Sequence, residues 1–333
     1  MTVRAEEIDR AAFAEEWRQW HADKERALAG PHGFLAITGQ YWLDATPTRF
    51  PDAPGAWSST AEGVVVELAD DEELVLDGHV LRGRHDFGVL GERVSLYPAA
   101  GDAVVEVARR GGHDILRPRH PDSGLRLSFT GTPAYAPDPR WARAGRYVPF
   151  DRPRSTTVGS VVEGLEHVYD APGQVEFELD GTTHRLTAFN GGAPGSLLVL
   201  LTDATSGVTT YAATRALSVD APDAEGNVLL DFNRATNLPC AYTDLATCPL
   251  PPAENRLPVA IEAGEKIPPR PDRRPVSVPA AEGAAEGAAA DAEAAGDAAG
   301  RTRDAAVVAG GARDAEGAAR PARAEEAGRR DQP

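Results

Sequence analysis

Lysine, methionine and cysteine are almost missing from this chain. Its 333 residues contain two lysines (Lys24 and Lys266), one methionine and two cysteines (Cys240 and Cys248). Two cysteines cannot form a disulfide framework, and they read as reduced thiols of a cytoplasmic protein. Positive charge is also short, with 34 Lys and Arg against 51 Asp and Glu, a net charge of −17. Such an acidic body repels phosphate backbones and anionic bilayers, so neither nucleic acid nor membrane is expected as a partner. The longest aliphatic run, Leu197 to Leu201, is far too short to span a bilayer. The segment Met1-Thr2-Val3-Arg4-Ala5-Glu6-Glu7 lacks the apolar centre of a signal peptide. A soluble, cytoplasmic protein is the expectation, with its oligomeric state left open.

The apolar residues stop before the chain does. After Ile267 there is no Leu, Ile, Phe, Trp, Tyr, Met or Cys, and the last 66 residues hold 22 Ala with 10 Arg and 12 acids. A segment without large apolar side chains cannot offset the entropy of ordering it. Residues 268–333 therefore read as a disordered tail, residues 1–7 as a flexible start, and residues 8–267 as the folding unit.

Within that unit, residues 8–29 predict one amphipathic helix. Phe13, Trp17, Trp20 and Leu28 share a face at helical spacing, and Gly30-Pro31 ends it. Beyond Gly33 the chain breaks into short runs separated by turn residues. Candidate strands are 64–68, 73–76, 79–82, 93–97, 103–108, 125–129, 156–162, 174–179, 183–189, 197–202, 208–211, 228–232 and 259–262. Asp77-Gly78 and Asp180-Gly181 fit two-residue hairpin turns, which need two positive φ angles. Many short strands and one helix predict a mainly β fold, an antiparallel barrel or sandwich. The proline-rich stretch Pro133–Pro153 suggests a boundary between two β subdomains.

Chemistry-bearing residues concentrate between Val228 and Lys266. A strand carries Asp231 into a turn holding Asn233, Arg234, Asn237 and Cys240; a proline-stiffened loop with Cys248 follows, then Asn255, Arg256 and Glu265. Arg presents a planar fork suited to carboxylate or phosphate, and Asn and Asp brace loops by bonding nearby backbone. A ligand pocket and a structural polar network are both compatible with that pattern. For the cysteines, zinc would need two more ligands, and no His follows His184. A nucleophile would need a His base in a recognisable arrangement, and none of His113, His120, His167 and His184 supplies one. Buried small thiols able to bridge under oxidation are the favoured reading. No phosphate loop, nucleophile elbow or His-Glu-x-x-His motif is present. No cofactor or metal is expected.

The same segment resembles a known family. Asp231-Phe232-Asn233-Arg234-Ala235, Pro239-Cys240-Ala241, Thr247-Cys248-Pro249-Leu250-Pro251-Pro252, Glu254-Asn255-Arg256-Leu257 and Ala263-Gly264-Glu265-Lys266 are similar to the signature of the prokaryotic domain of unknown function 1684. The resemblance extends upstream through Asp203–Gly207, Thr210-Tyr211 and Arg215. It continues at Arg117 and Arg119, Gly131 and Trp141, and at Trp17, Leu28, Gly33-Phe34-Leu35, Gly39 and Trp42-Leu43. The chain departs from the pattern at His120, Thr209, Thr236 and Leu238. The resemblance implies one folded body from Trp17 to Lys266 and brings no reaction with it. Together these observations nominate a site for a small anionic molecule at Arg117, Arg119, Tyr211, Arg215, Asp231, Asn233, Arg234, Asn237, Cys240, Cys248, Asn255, Arg256 and Glu265. Arg215 and Arg234, each at a strand end, are expected to aim at one spot.

Overall fold

The computed structural model describes residues 9–270. The readings of a flexible start, residues 1–7, and of the tail, for residues 271–333, lie outside the described residues. The helix spans Arg10–Leu28. The Asp9 carboxylate accepts from the N–H groups of Ala11 (2.9 Å) and Ala12 (3.2 Å), donors that a first helical turn leaves without partners. Its buried residues are Trp17 and His21, whose rings stack at 4.7 Å.

The remainder is mainly β and antiparallel, in three sheets among the described residues. Residues 41–119 form two of them. One orders Tyr41–Trp42, His113–Arg119, Ala103–Arg110, Ala99–Ala100, Leu74–Leu76 and His79–Leu81, with Ser95–Leu96 also on Ala103–Arg110. The other orders Thr48–Phe50, Ala53–Thr60, Gly63–Glu67 and Arg84–Gly88. Trp57, Val64, Leu74, Val105, Val107 and Leu116 pack between them. The third sheet orders Asn227–Asp231, Ala142–Gly159, Glu166–Leu179, Thr182–Asn190, Leu197–Leu201, Arg215–Val219 and Thr236–Asn237. The sheets are open paths, not a closed barrel.

At Leu197–Leu201 the third sheet is buried on both faces, which explains that strand's unbroken aliphatic run. Val199 and Leu201 join Val175, Phe177 and Leu217 on one side. Leu198 and Leu200 face the other, with Tyr169, Phe189, Tyr211, Cys240 and Cys248. The Asp180-Gly181 turn has φ of 50° and 74°, and Leu179 pairs with Thr182 across it, as the sequence predicts.

Several elements differ from their sequence-based expectation. Ala142–Gly159 is one 18-residue strand running through the second half of the proline-rich stretch. Its register breaks between Pro149 and Arg154, and its pairing with Asn227–Asp231 covers only residues 142–146. The prolines therefore lie where no ladder partner needs their N–H. The span 125–129 begins in a single helical turn, Gly124–Leu127. The span 208–211 is a turn, because the Thr205 carbonyl accepts from the N–H groups of Val208, Thr209 and Thr210. The span 259–262 is a loop in which Val259 and Ile261 hold Asp203 and its neighbours.

Candidate functional site

The thirteen nominated residues separate into two groups. Most of the C-terminal ones face inward and are spent on structure. Arg215 and Asp203 form an ion pair at 2.7 Å with both side chains fully buried. Its terminal N–H groups also donate to the carbonyls of Ala263 and Ile261, while its Nε is buried without a partner. Asp203 in turn accepts from the N–H (2.7 Å) and hydroxyl (2.6 Å) of Thr205. Asn255 staples two strands, its Oδ1 accepting from Thr187 N at 2.7 Å and its Nδ2 donating to Thr187 O and Leu200 O at 2.8 Å. Arg256 is exposed beside it.

Glu265 is the hub beneath the helix. It is 1 % exposed and accepts from Lys24, from His21 Nε2 (3.2 Å) and from Asn237 N (2.7 Å). Burial pushes its pKa up, but the hydrogen bond from His21 and the Lys24 charge outweigh this and hold it below the usual value. Asn233 bonds Asp138 and Asp231, and its carbonyl accepts from Trp17 Nε1 at 2.6 Å. Arg234 pairs with Glu16 (2.5 Å) and Asp231 (3.2 Å) and lies over the Trp20 ring. Arg234 and Arg215 thus share no partner, which corrects the expectation that they aim at one spot. Arg234 faces the helix, and Arg215 points into the core.

Arg117 and Arg119 behave differently. Ala103–Arg110 and His113–Arg119 form a hairpin whose register places Glu106 opposite Arg117. Alternation sends Val105, Val107 and Leu116 into the first core and Glu106, Arg110, Arg117 and Arg119 to the opposite face. There Glu106, 1 % exposed, accepts from Arg117 (2.6 Å), Arg119, Arg110 (3.2 Å) and Ser95 Oγ (2.9 Å). Burial raises its pKa, but the charges of Arg117, Arg119 and Arg110 prevail and hold the carboxyl well below the usual range. Burial lowers the pKa of Arg110. Three guanidiniums therefore meet one carboxylate. The next acid, Glu92, accepts from the N–H groups of Gly111 (2.7 Å) and Gly112 (3.0 Å).

This face looks toward the third sheet. The hairpin turn approaches it so closely that a side chain at Gly111, where φ is 56°, would meet Leu165 at 2.5 Å. Arg119 lies over the rings of Phe34 (4.8 Å) and Tyr97 (5.3 Å). Arg93, held at a φ of 65° that side-chain-bearing residues seldom adopt, lies over Tyr169 at 4.5 Å. Burial pushes the Tyr169 phenol up to about 12. The charge of Arg117 acts on Cys248. Tyr211 donates to the Cys240 carbonyl at 2.9 Å. The Nε atoms of Arg93, Arg117 and Arg119 are buried without a hydrogen-bond partner. So is Nδ1 of His167, whose Nε2 donates to the Thr247 carbonyl at 2.6 Å. Burial depresses the His167 pKa, so the ring is neutral near pH 7 and Nδ1 is an acceptor.

The sequence reading missed Glu106 and Arg110, which join Arg117 and Arg119 in one cluster, and Arg93 and His167, whose surroundings include Arg110. A usable signal was present: a Gly111-Gly112 turn sets a register in which Glu106 faces Arg117. A separate cleft of about 400 Å³ is lined by Arg49, Phe50, Asp52, Glu72 and His120 and includes none of the thirteen. Among the described residues no group of three or more His, Cys, Asp or Glu could hold a metal ion. No helix among them is long and apolar enough to cross a membrane.

Comparison with known sequences connects this arrangement to a family. The pattern described as protein of unknown function (DUF1684) matches residues 127–266. An uncharacterized protein of Haloarcula marismortui, solved by solution NMR, is 31% identical over 42% of this chain and 78% of its own length, with a TM-score of 0.35. The chain belongs to the DUF1684 family. The DUF1684 match takes in both cysteines, His167 and the Glu265 hub, and begins after Arg117 and Arg119. No curated protein matches the chain.

Proposed function

We propose that this protein binds a small anionic molecule where the arginine-bearing hairpin faces the third sheet, with Arg110, Arg117 and Arg119 as its anion partners. The observation that carries the reading is the charge imbalance: three buried or nearly buried guanidiniums share Glu106 inside a chain of net charge −17. Buried charge is stable only when paired and hydrogen-bonded. An anion here would add the missing charge and give the orphaned Nε donors an acceptor.

The test is thermal unfolding of the full chain with inorganic phosphate, pyrophosphate or citrate. A ligand present at 100 times its Kd stabilises by about 2.7 kcal/mol. For a body of this size that is a shift of roughly 5–10 °C. Arg119→Lys keeps the charge and loses the fork, so it should shrink the shift while the protein stays folded. No shift with any of the three anions, or one untouched by Arg119→Lys, sinks the reading.

A structural network is the second reading, and the ion pairs from Arg117 and Arg119 to Glu106 favour it. It predicts that Arg→Lys lowers stability with no anion-dependent shift in either protein.

A further inference from the structure

The two thiols of this chain are next to each other, and their surroundings are unlike. The Cys240 N–H points at Cys248 Sγ across 3.3 Å, and each thiol acts on the ionisation of the other. Both backbones are fixed. Tyr211 holds the Cys240 carbonyl at 2.9 Å, and Val161 N (3.0 Å) and Ser160 Oγ (3.2 Å) hold that of Cys248. Arg117 brings a positive charge to Cys248. A sulfur that receives an N–H and feels a nearby positive charge is favoured as thiolate, the form that reacts. Burial raises the Cys248 pKa, but the bonds from Cys240 and the charge of Arg117 outweigh it and lower the thiol. Cys240 moves the other way, chiefly because its proton is held against Cys248, with burial adding to this. Two like groups driven apart take different roles.

We propose that Cys248 and Cys240 form a peroxide-reactive dithiol, with Cys248 as the attacking sulfur and Cys240 as the resolving one. The Cys248 thiolate attacks an oxygen of a hydroperoxide. An S–O bond forms and the O–O bond breaks. The alkoxide or hydroxide that leaves takes up the proton the thiol had released. Cys240 sulfur then attacks the sulfenic sulfur. The S–S bond forms, the S–O bond breaks, and hydroxide departs with the Cys240 proton as water. Two thiols and one hydroperoxide give a disulfide, an alcohol (or water) and water, with both electrons passing from sulfur to the peroxide. A small thiol reductant returns the pair. The proposal stands apart from the anion reading, because it needs only the charge of Arg117 and no bound ligand.

The experiment uses the reduced full chain, which has no other cysteine, treated with a modest excess of hydrogen peroxide at neutral pH. Intact mass should fall by about 2 Da. Both thiols should disappear from a denaturing thiol assay, and dithiothreitol should restore both. Cys240→Ser should stop about 16 Da heavier, as a sulfenic acid that dimedone captures. Cys248→Ser should stay unmodified at the same dose. The wild-type result does not depend on either variant folding. Unchanged mass with both thiols recovered, or oxidation only after unfolding, would overturn the proposal. Equal oxidation of the two variants would overturn the assigned order of attack.

Discussion

Replacing Glu106 by Gln tests the charge balance directly, because the amide keeps the shape and removes the one carboxylate that Arg110, Arg117 and Arg119 share. At an effective dielectric near 20, one pair at about 4 Å is worth about 4 kcal/mol before desolvation. Desolvation cancels much of this in the intact cluster. Removing one partner of a buried ion pair costs about 3–5 kcal/mol, since the other charges stay buried. For a body of this size that is a fall in Tm of roughly 6–20 °C. Acid sharpens the test. The folded pKa of Glu106 lies well below its ordinary value of 4.5. Its stabilisation is therefore complete above that value and declines as pH falls below it toward the folded pKa. Glu106→Gln should lose stability at pH 7 and lose less than wild type between pH 4.5 and pH 2. Urea unfolding across that range reads both effects. A variant within about 1 kcal/mol of wild type at pH 7, less than a broken buried pair costs, would refute the reasoning.

Arg215→Lys should cost about 2–4 kcal/mol, because Lys keeps the charge near Asp203 but abandons the buried carbonyls of Ala263 and Ile261. Urea unfolding measures the cost, and any phosphate-induced shift should be the same as in wild type. Loss of that shift with stability intact would put Arg215 in the site. Gly181→Ala should destabilise by about 1–2 kcal/mol through its positive φ alone, since a Cβ there meets nothing within 4 Å; a neutral result would mean the turn relaxes. Trp17→Phe removes the 2.6 Å bond to the Asn233 carbonyl and should cost about 1 kcal/mol. Helical circular dichroism should be retained; a melted helix would show that the bond, not the buried ring, holds it.

Elements governed by local chemistry were legible in the sequence. The helix could be read from Trp17, Trp20 and the Gly30-Pro31 stop, and the hairpin at Asp180-Gly181 from its turn residues. Elements set by distant partners were not. Arg215–Val219 is a buried strand next to the sheet's edge, and its first residue is a charge that only Asp203 makes tolerable there. The candidate site divides the same way. Arg117 and Arg119 carried a signal, but Glu106 became their partner only through strand register. The C-terminal Asn and Asp residues look like ligand contacts and brace loops instead, because a side chain that bonds a ligand also bonds backbone.

The helix Arg10–Leu28 closes on segments more than two hundred residues later. His21 meets Glu265 across 244 residues, and Trp17 meets Asn233 across 216. On the ribosome, the helix is made well before its seat. At about 5–20 residues per second, the wait is roughly 10–50 s. During that interval the Trp17 and Trp20 face has nowhere to dock. A nascent chain arrested before Glu265 should therefore hold the helix loosely and be open to proteases and chaperones at its start, while the hairpins of residues 41–119 are complete. Release of the segment through Glu265 then secures the helix Arg10–Leu28 in a single closing step.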